Sequence, residues 1–152
     1  MHKTAEPFAA LGVAAIIAAG VLGAALARRH SQQLVWAMSY LILVVGVGQY
    51  VLGAGQARLR PQTPTRGTVW GQWFLLNAGH AGVMVGTLCV KFALVAAATV
   101  PYGLAMLWFA WSVRGARKSA LLVGYHALVL LLLLSSLVGL RLMWFISERG
   151  GF

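Results

Sequence analysis

Apolar positions along the chain fall in long runs rather than in narrow stripes. They extend from about Pro7 to Ala27, from Leu34 to Ala54, from Val69 to Val113 and from Ser119 to Met143. A helix rises 1.5 Å per residue and needs roughly 20 apolar residues to cross a hydrocarbon core about 30 Å thick. The pattern therefore predicts an all-α integral membrane protein, a bundle of four transmembrane helices with five as the alternative.

The first run opens at Pro7, which suits a first helical turn, and closes at Arg28-Arg29-His30. Its Ala15, Ala19, Gly23 and Ala27 recur every fourth residue, a stripe that lets a second helix approach closely. The run is too long for the apolar segment of a secretory signal and ends in arginines instead of a small-residue cleavage site, so a span is expected. In the second run Trp36, Tyr40 and Tyr50 lie near the ends, as interfacial aromatics do. A polar connection from Gly55 to Thr68, with Pro61 and Pro64, follows.

The stretch from Val69 to Val113 is 45 residues interrupted by one charge, Lys91. A single helix of that length would measure about 68 Å, more than twice the core thickness. Two arrangements solve this. In the first, residues from Trp70 to Gly86 form an interfacial or partly inserted helix, and the span runs from about Leu88 to Val113 with a kink at Pro101. In the second, a tight turn around Lys91 splits the stretch into two spans. The first is preferred, because proline is tolerated as a kink and no Pro-Gly or Asn-Gly pair marks a turn. The whole chain reads as one transmembrane domain with spans at about 7–27, 34–54, 88–113 and 119–143.

Arg29, Ser31, Leu34 and Val35 match Arg117, Ser119, Leu122 and Val123 at a constant offset of 88 residues, which suggests a duplicated hairpin. Composition agrees with a bilayer as solvent: 61% of residues are hydrophobic and 9% charged, against about 25% charged in soluble domains. The net charge of +10 sits between the apolar runs, where it meets lipid head groups, so no nucleic-acid partner is expected. With four spans, five basic residues fall on each side, and the positive-inside rule gives no orientation.

Candidate chemistry is sparse. His80, in Asn77-Ala-Gly-His-Ala-Gly, and His126, in Gly-Tyr-His, are the candidate cofactor-binding residues, since neutral imidazole can ligate the iron of haem b or the magnesium of chlorophyll. Ala78, Gly82 and Gly86 share the face beside His80 and leave room for a ring. His2 and His30 read as solvated. Lys91 and Arg141 are candidates for lipid or partner contact, snorkelling to the interface by default. Cys89 stands alone, so no internal disulfide forms.

There is no Asp, and the two Glu residues lie near the ends, which excludes an intramembrane carboxylate relay built from this chain. Nor is there a nucleophile elbow or a phosphate loop, and the glycines of Gly46 to Val51 fall inside a span, where they serve packing. The expected function is a small non-catalytic accessory or anchor subunit of a larger membrane complex, one for electron transfer among the options. Its partners would be lipids and other membrane subunits or copies of itself, in the bacterial cytoplasmic membrane. Two alternatives stand beside it: a haem b or chlorophyll-binding electron carrier, and a small-solute channel or transporter acting as an oligomer, with Pro101-Tyr-Gly103 as the place where a helix breaks.

Overall fold

The computed structural model describes residues 4–28, 31–60 and 62–149, and His2 and His30 lie outside them. The described residues form helices joined by short turns: α1 Glu6–Ala25, α2 Gln32–Leu59, α3 Arg66–Leu88, α4 Phe92–Ser112 and α5 Ala120–Glu148. Four of these, all but α3, are long and apolar enough to cross a membrane. Within α2, residues Leu41–Gly48 are wound as a π-helix.

The helices run alternately up and down. α1 pairs with α2 through small residues: a Cβ on Gly12 would stand 2.8 Å from the Gly46 carbonyl oxygen, and one on Gly53 would stand 2.6 Å from the Phe8 side chain. Ala15 and Ala19 of the expected stripe are buried and Gly23 abuts Met38, while Ala27 is exposed. α3 pairs with α4 along its whole length. Gly71 meets Trp108, Gly79 meets Tyr102, Gly82 meets Ala98 and Gly86 meets Val95, the antiparallel register of two helices lying side by side. Ala78, expected on this face, points outward, and Gly79 takes its place.

The stretch from Val69 to Val113 thus divides at residues 89–91, and the continuous segment expected from Leu88 is corrected to a helix beginning at Phe92. The turn falls around Lys91, where the second arrangement put it, and no turn residue marks it in the sequence because valine holds the position normally given to glycine. Val90 has φ of 52°. Its N–H donates to the Thr87 carbonyl at 3.2 Å and the Lys91 N–H to the Gly86 carbonyl at 2.8 Å, the paired closure of a Schellman motif. Pro101 sits inside α4, which continues past it, so the helix does not break there. Since α3 is antiparallel to α4, residues 70–86 do not lie across that helix.

α5 folds back through a turn at Gly115, whose φ of 82° suits glycine. The 88-residue echo is a capping motif. The Ser31 side chain accepts the Leu34 N–H and the Ser119 side chain accepts the Leu122 N–H, each at 3.2 Å, so serine caps both α2 and α5. The two helices are antiparallel, with Gly55 against Tyr125 and Gly48 against Leu132, so the matched residues do not stand in a parallel repeat.

The core lies toward the lower end, where α1 and α4 start and finish: Phe8 and Phe109 meet edge to face at 5.4 Å, with Leu52, Leu76, Met106 and Val113 around them. The outward faces carry Ile17, Val21, Leu131, Leu137 and Val138, all exposed. A surface of this kind is covered by lipid or by another protein.

Candidate functional site

α5 touches α2 only in its lower half. Above Leu132 the two helices part, and a cleft of about 760 Å³ opens between Ser31–Val44 of α2 and Ser135–Ile146 of α5, floored by residues of α3 and α4. Its walls are mainly aliphatic. Polar side chains on it are those of Ser31, Gln32, Trp36, Tyr40, Thr87, Thr99, Tyr102, Ser135 and Ser136, and among the described residues no charged side chain lines it. The hydroxyls of Thr99, Ser135 and Ser136 donate to carbonyls of their own helices at 2.7–2.9 Å. They keep lone pairs for an incoming donor. Apolar bulk with a few neutral hydrogen-bonding groups is the composition of a small-molecule site.

At the back of this cleft stand Tyr40 and Tyr102, and behind them His80. The His80 ring is 4% exposed. Its Nδ1 lies 3.0 Å from the Tyr40 hydroxyl, and its ring is packed edge to face by Tyr40 at 5.7 Å and Tyr102 at 5.3 Å. Nε2 has no hydrogen-bond partner among the described residues. Tyr40, expected in an interfacial belt, turns inward and stacks on Trp36 at 5.1 Å.

The other sequence candidates lie elsewhere. His126 is exposed on α5, near the lower end, with Nδ1 at 3.0 Å from the Leu122 carbonyl of the same helix. It does not meet His80. Lys91 is exposed at the α3–α4 turn, and Arg141 is exposed with its guanidinium 5.3 Å from the Phe145 ring centroid. Cys89, which as a lone cysteine in an apolar run reads as a small buried apolar residue, is exposed in the same turn as Lys91.

For a tetrapyrrole the fit is poor. The cleft wall is formed by Tyr40 and Tyr102, with His80 behind them, and His126 supplies no second ligand. No cluster of metal-ligating side chains occurs among the described residues.

One polar feature went unread in the sequence. Gln56 of α2 donates to Gln72 of α3 at 3.0 Å, and Gln72 donates to Ser112 of α4 at 2.9 Å. Gln49, seven residues above Gln56 on the same face of α2, is wholly buried, and neither end of its amide has a partner. The available signal was Gln49 and Gln72 inside hydrophobic runs, since polar residues at membrane depth mark packing contacts or function; Gln56 falls in the stretch expected as a polar connection, through which α2 instead continues to Leu59.

Taken together, fold and cleft define an all-helical bundle with four helices able to cross a membrane and an uncharged, amphiphilic side cleft. No protein-family model, curated protein or solved structure matches the chain.

Proposed function

We propose that this protein is a five-span integral membrane protein that holds one neutral, long-tailed amphiphile in its side cleft, serving as a non-catalytic accessory subunit of a membrane complex. The observation that carries the reading is the cleft itself. Its aliphatic walls suit an acyl or isoprenoid tail, and its uncharged hydroxyls and indole suit a quinone, alcohol or ester head rather than a phosphate.

The fifth span is α3. Its 23 residues measure about 34 Å, enough to cross, and they lie antiparallel to α4 over the full length. Its polar Gln72, Asn77 and His80 are tolerated because they face protein: Gln72 and His80 are buried and Asn77 donates to the Trp73 carbonyl at 2.7 Å. An odd number of spans also changes the charge arithmetic. Among the described residues Arg58, Arg60, Arg66, Arg114, Arg117 and Lys118 gather at the lower end, against Arg28, Lys91, Arg141 and Arg149 at the upper. The lower end is then cytoplasmic and the cleft sits in the opposite half of the bilayer. For a chain of this kind the bacterial cytoplasmic membrane is the proposed location.

Organic extraction of protein purified in mild detergent, followed by mass spectrometry, tests the ligand. A near-stoichiometric neutral amphiphile is expected, and it should be lost from a Gly139→Phe variant, whose new side chain enters the cleft without a backbone clash. Recovery of only bulk phospholipid in both proteins would count against the site. A tetrapyrrole reading rests on the unpartnered Nε2 of His80. An absorption spectrum with a Soret band that disappears in His80→Ala would restore it.

A further inference from the structure

The π-helical segment is bracketed by Tyr40 and Gln49. Nine α-helical steps turn through about 900°, which leaves the two ends on opposite faces of a helix. The π turn closes i→i+5 bonds and holds roughly 4.4 residues, so the same nine steps bring the ends to within about 20° of each other. That is why both Tyr40 and Gln49 face the interior, where Tyr40 holds Nδ1 of His80 and Gln49 is wholly buried.

Height places the unpartnered groups together. Gln49 lies seven residues, about 10.5 Å, above Gln56. Gln56 is bonded to Gln72 across to α3, and seven residues above Gln72 on that helix is Gly79, the neighbour of His80. By this register Gln49 and His80 fall at similar heights, and three of their polar atoms are without a protein partner among the described residues: Oε1 and Nε2 of Gln49 and Nε2 of His80. An amide left dry in such a place costs several times what a hydrogen bond returns, whereas a buried water needs two to four polar partners, a number these three atoms can supply.

We propose that an internal water site lies between Gln49 and His80, linking the two side chains in the middle of the bundle. The water accepts from the Gln49 amide NH₂ or donates to its carbonyl, and meets Nε2 of His80 with the complementary role left by the tautomer that Tyr40 selects. With Gln56, Gln72 and Ser112 below and Tyr40 above, the site completes a polar seam through α2, α3 and α4 that ends at the cleft. The π turn is the device that builds it, because an α-helical α2 would turn either Tyr40 or Gln49 out of the interior. The inference does not depend on what the cleft binds.

Magnetic resonance on protein with ¹⁵N-labelled histidine, reconstituted in lipid nanodiscs, tests it. A cross-peak between water and the His80 imidazole is expected in the unmodified protein, assigned by its loss in His80→Phe. It should weaken strongly in Gln49→Met, an apolar replacement of similar length, while the exposed His126 keeps its own water contact. Absence of the His80 cross-peak in unmodified protein overturns the proposal, whatever the variants do. So does a cross-peak that is unchanged in a folded Gln49→Met variant, or a higher melting temperature of that variant with no water contact at His80, the outcome expected of a dry, unsatisfied amide.

Discussion

A Cβ placed on Gly79 would lie 2.7 Å from the Cβ of Tyr102 and 2.9 Å from its backbone nitrogen, so α3 and α4 touch backbone to backbone at the level of His80. Backbone cannot give way as the tip of a flexible side chain can. Gly79→Val should lower the melting temperature in detergent by the equivalent of about 1–3 kcal/mol or prevent folding, the cost of overpacking. Ala78→Val, one residue away and exposed, should change stability by less than about 0.5 kcal/mol. Equal effects at the two positions would contradict the register of this helix pair.

Val90 adopts a left-handed conformation that a β-branched residue strongly disfavours. Glycine is at ease there and would keep both closing hydrogen bonds of the Schellman turn. Val90→Gly should raise stability by about 1 kcal/mol, measured by thermal or chemical denaturation in detergent. A loss of stability would mean that residues 89–91 do not form this turn.

The helices and the all-helical character of the described residues were legible in the runs of apolar residues, because a bilayer demands long uninterrupted hydrophobicity. The division at Val90 was legible only as the less favoured alternative, a turn around Lys91, since the chain turns there by backbone hydrogen bonding with no glycine, proline or asparagine to announce it. His80 was legible as a histidine among small residues that leave room beside its ring. Its partner Tyr40 was not: aromatic residues near the end of a run normally anchor at the interface, and the π turn that keeps Gln49 inward as well leaves no mark that a periodicity of 3.6 would show. The Gln49, Gln56 and Gln72 seam needed three helices in contact before its members could be related. His126 was misleading for a simple reason. An exposed histidine can satisfy itself on its own helix, as the Leu122 carbonyl shows.

Tyr40→Phe removes the hydroxyl from Nδ1 of His80 and leaves a buried ring nitrogen unpaired. The expected cost is about 1–3 kcal/mol, larger than that of Tyr50→Phe, where the side chain is exposed. Denaturation of the two variants side by side checks this, and indistinguishable midpoints would remove the Tyr40–His80 bond from the account.

Cleft filling separates a bound amphiphile from lipid that merely coats the surface. Gly103 and Gly139 both have open space where a Cβ would stand, but only Gly139 borders the cleft. Gly139→Phe should cut copurified amphiphile by tenfold or more, and Gly103→Phe should leave it unchanged. Parallel losses would point to a general change in lipid association.

The central claim is that five helices cross the membrane, with α3 and α4 as an antiparallel transmembrane pair. Cys89 lies exposed in the turn joining them, and Gln62 lies exposed in the connection between α2 and α3. Labelling with a membrane-impermeant maleimide, using the native Cys89 in one protein and Gln62→Cys in a Cys89→Ser background in the other, reads the side of each. Five spans predict opposite sides, with Cys89 labelled in intact cells and Cys at 62 labelled only after permeabilisation. Labelling of both from the same side would contradict the five-span account.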